Sequence, residues 1–237
     1  MIKNMNTKKL CVLVTGGTSG IGKCLAEGFA NAGYNVLASG IGNIPRNDKN
    51  IEYFPLNIRN EESIKKKFKS IDRLDVLINA AGMISRCKEF EMETFSEVID
   101  VNLVGTMRIC CAARDLLSKS KGSIINIASM LSIFGGGLVP GYSSSKGGIV
   151  QLTKSLSIAY SKDKIRVNAI APGWISTNMT ADLKKDKERN DKIINRTPMK
   201  RWGRPEELVG PALFLSSNAA SFITGTVLNV DGGYASM

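Results

Sequence analysis

Tyr142 and Lys146 stand four residues apart in GYSSSKGGIV, so on a helix their side chains share one face. A phenol titrates near 10, too high for a base at neutral pH, and each unit of lowering takes about 1.4 kcal/mol of preferential phenolate stabilisation. A neighbouring ammonium in a partly desolvated cleft supplies that, so the pair can act as a general acid or base. Ser129 lies thirteen residues before Tyr142, at the end of an apolar run, where its hydroxyl can serve a substrate or merely a turn. The chain has no histidine. Ser–His–Asp and Cys–His catalysis and the commonest zinc ligand sets are therefore excluded, and no metal site is expected.

A second cluster able to do chemistry is Thr15-Gly16-Gly17-Thr18-Ser19-Gly20-Ile21-Gly22. It follows the strand-like run Leu10 to Val14 and precedes a segment with Ile21, Leu25 and Phe29 at helical spacing, closed by Gly33. A strand entering a helix through glycines presents backbone N–H groups and the positive end of a helix dipole, a cradle for pyrophosphate. Gly16 permits the tight turn, and Gly20 and Gly22 remove side chains that would block the ligand or the packing of helix on strand. The spacing is Gly-x-x-x-Gly-x-Gly, not the Gly-x-Gly-x-x-Gly of the usual dinucleotide fingerprint. By itself it is also compatible with a glycine-rich turn that binds nothing.

The elements that must position these groups alternate. Further strands are expected at Tyr34 to Ser39, Ile51 to Ile58, Asp75 to Ile78, Ser123 to Ala128, Ile165 to Ala171 and Thr226 to Val230. Helices are expected from Glu61, capped by Asn60 and carrying Ile64, Phe68 and Ile71 inward, and over about Thr94 to Leu117, with Phe95, Val98, Leu103 and Met107 at core spacings. Two more are expected over about Gly141 to Tyr160 and Pro205 to Leu215. Gly40 to Asn50 is too short and too rich in Gly, Pro and Asn for a crossover helix, so a loop belongs there. The pattern predicts an α/β fold, a doubly wound parallel sheet of Rossmann type, in one domain spanning 1–237. In such sheets ligands bind beyond the C-terminal strand ends, so Gly16 to Gly22, Asn79, Ser129 and Pro172-Gly173 should converge on one crevice.

Composition narrows the classes. The N-terminal basic segment is followed by only five apolar residues, and no run approaches a membrane span, so a cytoplasmic protein without membrane contact is expected. The five cysteines lack Cys-x-x-Cys spacing and are expected as reduced core thiols. The formal charge of +11 is scattered. From Asp182 to Arg201 eight Lys/Arg face four Asp/Glu without interleaved aromatics, and no nucleic-acid partner is expected.

Taken together, TGGTSGIG, NAAG at 79–82, the mid-helical Asn102, Ser129, YSSSK at 142–146 and the Pro172-Gly173 pair come in one family's order and spacing. From Leu10 to Gly233 the chain resembles the short-chain dehydrogenase/reductase family. The resemblance implies a catalytic set of Asn102, Ser129, Tyr142 and Lys146. In it Ser129 binds the substrate oxygen, Lys146 also binds the nicotinamide ribose, and Asn102 opens its helix to a water of a proton relay. It implies cofactor contacts at Gly16, Thr18, Ser19, Gly20, Ile21, Gly22, Ser39, Asn57, Ile58, Asn79, Ala80, Ala81, Gly82, Tyr142, Lys146, Pro172, Gly173, Ile175 and Thr177. The cofactor is NAD(P)(H). No acid stands at Ser39-Gly40 to bind ribose hydroxyls, and Arg46 and Arg59 are candidates for a phosphate, which favours NADP(H).

Residues about 174–202 correspond to the family's substrate lid. Its Lys184, Lys185, Lys187, Arg189 and Arg196 suit an anionic substrate, or simply solvate a helix. The chain is similar both to 3-oxoacyl-carrier-protein reductases and to sugar-acid ketoreductases related to gluconate 5-dehydrogenase, with AAGMISR favouring the latter. A small-molecule ketone or secondary alcohol substrate and a homotetramer follow from the resemblance. The rival from another class is a catalytically idle dinucleotide-binding regulator, which should have lost Tyr142 or Lys146.

Overall fold

Cys11–Thr15 (β1) is a short apolar run whose side chains alternate between two covered faces. Val12 and Val14 pack into one helical layer and Leu13 into the other, all fully buried, as an interior strand of a parallel sheet requires. The computed structural model describes residues 9–237. The other strands are Asn35–Gly40 (β2), Ile51–Pro55 (β3), Val76–Asn79 (β4), Ser123–Ile127 (β5), Arg166–Pro172 (β6) and Val227–Val230 (β7). All pair in parallel in the order β3-β2-β1-β4-β5-β6-β7. The order runs outward in both directions from the β1–β4 pair, which makes that pair the switch point where a crevice opens. Thr15 is level with Asn79 there, so the glycine turn and the NAAG turn leave the sheet side by side.

The helices are Gly20–Asn31 (α1), Glu61–Lys69 (α2), Met92–Ile99 (α3), Gly105–Ser120 (α4), Pro140–Tyr160 (α5), Ala181–Lys185 (α6), Lys187–Arg196 (α7) and Val209–Ser216 (α8). Leu25 and Phe29 of α1 and Ala212 and Leu215 of α8 cover one face of the sheet. Ile64 and Phe68 of α2, Ile109 and Leu117 of α4 and Leu156 of α5 cover the other. The doubly wound α/β architecture expected from the sequence is the one observed. Asn60 caps α2 as anticipated, its Oδ1 accepting the Ser63 N–H at 2.9 Å, and residues 41–50 form bends and a single bridge without a helix.

Several boundaries differ, each for a local reason. The expected helix over Thr94 to Leu117 is interrupted by a π-helical turn at Asp100–Val104. The wider turn adds a residue and rotates α4 relative to α3, so Val98 is fully buried while Met107, expected in the core, is on the surface. Pro205–Leu208 is a 3₁₀ turn that gives way to α8, because Pro211 has no N–H to offer the carbonyl four residues back. The lid segment, the least regular part of the sequence, holds two short helices. Asp186 caps α7, and Leu183, Ile193 and Trp202 form a small core of their own against Trp174. Of the five free cysteines only Cys110 is buried, where burial pushes its thiol up to about 12. Cys87 and Cys111 are exposed, contrary to the expectation of core thiols. No helix among the described residues is long and apolar enough to cross a membrane.

Candidate active site

The turn after β1 is shaped by what a side chain would collide with. Gly16 has φ +66°, and a Cβ on it would lie 2.7 Å from the backbone nitrogen of Ala81. A Cβ on Gly22 would run into the Gly16 carbonyl, so α1 can start only where a glycine lets it sit on the turn. Gly20, at φ +51°, needs glycine for its backbone conformation; the nearest atoms to a Cβ there are those of Thr177, at 3.9 Å. Thr18 lies over Gly40 at the end of β2, and the Gly17 N–H donates to the Ser39 carbonyl at 2.8 Å. Ser19 is the N-cap residue of α1 and makes no side-chain cap bond among the described residues, leaving the first-turn N–H groups free of it. Ser39 Oγ is buried without a partner among the described residues. This cradle of backbone donors at the start of a 12-residue helix, with an orphaned hydroxyl beside it, fits a dinucleotide's phosphates and adenosine end.

On the other side of the switch point, the first turns of α5 meet the end of β5. Lys146 is 5% exposed, and its Nζ donates to the Ile127 carbonyl at 2.6 Å and lies 5.7 Å from the centre of the Tyr142 ring. Burial lowers its pKa to about 8. The Tyr142 phenol is pushed above its ordinary value by burial; the Ser129 hydroxyl and the Arg86 guanidinium pull it back, and Glu89 adds to the rise. From spacing, Lys146 is the group expected to lower the phenol. In the structure the Ser129 hydroxyl and Arg86 carry that effect, because the buried ammonium is turned to a backbone carbonyl. Ser129 is held by a reciprocal turn in which its Oγ accepts from Leu131 N and its N–H donates to Ser132 Oγ, both at 3.1 Å. Ser132 in turn donates to the Lys146 carbonyl at 2.8 Å, tying the two elements together.

Asn102 sits in the π turn and is fully buried. Its side chain accepts from Met83 N at 2.8 Å and donates to Met83 O at 2.9 Å and Ser145 Oγ at 3.0 Å, while Thr106 Oγ1 donates to its carbonyl at 2.8 Å. The amide therefore clamps the chain beyond NAAG onto α5. A Cβ on Gly82 would lie 3.2 Å from Asn102 Oδ1 and 3.8 Å from Lys146 Nζ, so these groups share one corner.

A cavity of about 380 Å³ joins the two halves and has the size of a small-molecule site. Ile21, Ser129, Tyr142, Pro172, Gly173, Ile175 and Thr177 from the expected set line it. Lys146 and Asn102, both buried, are not among its lining residues. Arg189, one of the lid cations expected to suit an anionic substrate, lines it too, while Lys184, Lys185, Lys187 and Arg196 do not; sequence reasoning missed Arg86, Lys192 and Tyr234, which also line it, and Glu89, which is 1% exposed. Arg86 follows NAAG by four residues and is the last residue of AAGMISR, the segment that favoured the sugar-acid relatives, so the signal lay in the sequence without the residue being singled out.

Other expected contacts stand elsewhere. The Asn79 amide donates to Asn126 Oδ1 at 2.9 Å, and Asn126 donates to Thr153 Oγ1, so the Asn79 side chain belongs to a polar ladder inside the protein. The backbone of Ala80 and Ala81 stays at the turn, where their N–H groups face Thr15. The Ile58 side chain packs against Gly105, and Asn57 Oδ1 accepts from Arg59 N. Arg59, a phosphate candidate, is instead held by Glu97 at 2.8 Å and Asp100 at 2.9 Å. Arg46 is exposed on the loop before β3.

Residues 16–235 match the family model described as Enoyl-(Acyl carrier protein) reductase. A 2-dehydro-3-deoxy-D-gluconate 5-dehydrogenase of Bacillus subtilis is 38% identical over 238 residues, covering 94% of both chains. A 3-oxoacyl-[acyl-carrier-protein] reductase of Aquifex aeolicus is 37% identical over 239 residues, 93% of this chain and 95% of that one. Among solved structures, a gluconate 5-dehydrogenase of Burkholderia cenocepacia in complex with NADP and tartrate superimposes with a TM-score of 0.89 at 28% identity, covering 96% of each chain.

Proposed function

The chain belongs to the short-chain dehydrogenase/reductase family and is an oxidoreductase of CH–OH groups, and from that premise we propose that it transfers hydride between NADP(H) and the ketone or secondary alcohol of a sugar acid. The observation that carries this reading is the shared cavity. Tyr142 and Ser129 line its floor, and three cations, Arg86, Arg189 and Lys192, line its walls. The relatives named for gluconate derivatives support the same substrate class.

When bound, the cofactor supplies or takes up the hydride at the reacting carbon. The backbone of Gly16 to Gly22 would hold its pyrophosphate, Ser39 and Gly40 its adenosine end, and Pro172, Gly173, Ile175 and Thr177 its nicotinamide half. The end of β2 carries no carboxylate to repel a 2′-phosphate, which favours NADP(H) over NAD(H). In reduction the Tyr142 phenol donates its proton to the substrate oxygen while the Ser129 hydroxyl holds that oxygen. The Ser129 hydroxyl and Arg86 stabilise the phenolate that this leaves, and Lys146, one helical turn on, would hold the nicotinamide ribose. Arg86, whose charge already acts on the phenol, orients the carboxylate. The lid, 174–202, closes over the substrate, and the whole of 1–237 works as one domain. The active form is a cytoplasmic homotetramer.

The apolar side chains of Ile84, Leu138, Met179 and Leu183 on the same cavity would suit an acyl chain, the second reading. A panel of 5-ketogluconate, 2-dehydro-3-deoxygluconate, an acetoacetyl thioester and a simple ketone, followed by NADPH absorbance, separates them. Turnover confined to sugar acids is expected, preference for the thioester would replace that reading, and cofactor binding without turnover of any substrate would favour the idle regulator.

A further inference from the structure

Glu89 is a buried carboxylate that forms no ion pair among the described residues, and none of the steps above employs it. It lies in the turn between the NAAG segment and α3, 1% exposed. Its Oε1 accepts the Ser85 N–H and its Oε2 accepts the Tyr142 N–H, both at 2.8 Å. Tyr142 is in the first turn of α5, a 21-residue helix that starts with Pro140 and has no side-chain cap of its own among the described residues. A carboxylate there satisfies an open N–H and faces the positive end of the dipole, which explains how a lone negative charge is kept inside the protein. The neighbouring Cys87, at φ +67°, donates its N–H to the Leu138 carbonyl just ahead of α5, a second tie between the same two segments.

We propose that Glu89 is a positioning residue that locks the loop carrying Arg86 to the helical turn carrying Tyr142, so that the substrate's anion and its reacting oxygen are registered together. The two acceptors reach the residue before Arg86 and Tyr142 itself, so a single side chain sets the separation of both groups. An amide at this position retains only one acceptor oxygen and must turn its NH₂ towards one of the two N–H donors. An aspartate retains the charge but draws the carboxylate back by one methylene.

This inference deepens the sugar-acid reading and rests on it. The groups that bear on the phenol besides Glu89 are Ser129 beyond β5 and Arg86 on the same loop; of the other cations facing this region, Lys146 on α5 has its Nζ 5.7 Å from the ring centre, and Arg189 and Lys192 line the cavity. E89Q and E89D are compared with the parent in kinetics with the preferred substrate of the panel, in affinity for NADPH by fluorescence titration, and in amide hydrogen exchange of peptides over 83–91 and 139–146. Both variants should lose about tenfold or more in kcat/KM, with KM for the acid raised, while NADPH affinity stays within about twofold. E89Q should move the alkaline limb of reduction to lower pH, since a negative charge beside the phenol is gone, and E89D should leave it in place. Exchange over both segments should quicken in E89Q. Parent-like kinetics, an unmoved limb and unchanged exchange in E89Q would overturn the proposal. Because exchange is read without turnover, a parent inactive on the whole panel would sink the functional reading alone. In that case unchanged exchange in E89Q would still refute the lock.

Discussion

Tyr142 and Lys146 divide their work through burial. Burial holds the phenol above its ordinary pKa, with Ser129 and Arg86 opposing and Glu89 reinforcing the rise, so the group is protonated throughout the neutral range. Reduction needs that proton and oxidation needs its absence. The kcat/KM for carbonyl reduction should therefore be level at neutral pH and fall as pH climbs beyond about 10 through the phenol's raised pKa, while alcohol oxidation rises over the same range; rates measured in both directions from about pH 6 to about pH 11 check this. A reduction rate that already halves between about pH 6 and about pH 7 would contradict it. Lys146, lowered to about 8 from an ordinary 10.5, costs stability while it is charged. Its folded pKa is depressed, so the penalty is fully present below about 8 and is relieved as pH rises towards 10.5. At 1.36 kcal/mol per unit the penalty is at most roughly 3 kcal/mol. Lys146→Met should consequently gain stability in urea unfolding at neutral pH, less about 1 kcal/mol for the orphaned Ile127 carbonyl, and lose that advantage near pH 10.5.

Among the elements, α2 offers the cleanest test because it lies away from the cavity. Asn60→Ala removes the acceptor for Ser63 N and should cost about 1 kcal/mol in denaturant unfolding with kcat unchanged. A drop in kcat would mean that α2 takes part in the site. This helix was legible from its Asn cap, acidic first turn and inward Ile64 and Phe68, since cap and stripe are local signals. The π turn at Asp100–Val104 was not legible. Asn102 marked the place as poor helix, but the extra residue is stabilised by Met83 and Ser145, which are far away in sequence. Met107 was misplaced for the same reason. The lid's order was likewise hidden, because Trp174, Leu183, Ile193 and Trp202 bury one another only after the chain has turned back twice.

For the whole molecule, the alternation of strands and helices was enough to place four strand ends at one crevice, and the glycines of the first turn were explained by backbone they touch. What alternation cannot carry is the direction of side chains at the site. Asn79 turned into the interior ladder and Arg59 into an ion pair, while Arg86 came to the cavity, and Glu89 to the Tyr142 N–H behind it, from a loop with no periodicity to read. The charge of +11 acts at this scale too. Cations on the cavity wall and lid should attract an anionic substrate at long range, so KM for a sugar acid should rise several-fold between about 0.02 M and about 0.3 M salt, where the screening length falls below 10 Å. KM for an uncharged ketone should stay level. Equal salt dependence for both would remove the electrostatic argument for a sugar acid.

The most direct trial of the central claim, that one phenol in this cavity handles the proton of a hydride transfer, is the turnover of Tyr142→Phe against the parent with NADPH and the preferred substrate of the panel. The ring and its packing survive in the variant, so NADPH affinity should be unchanged while kcat falls by about a thousandfold. Parent-like kcat in Tyr142→Phe would contradict the account.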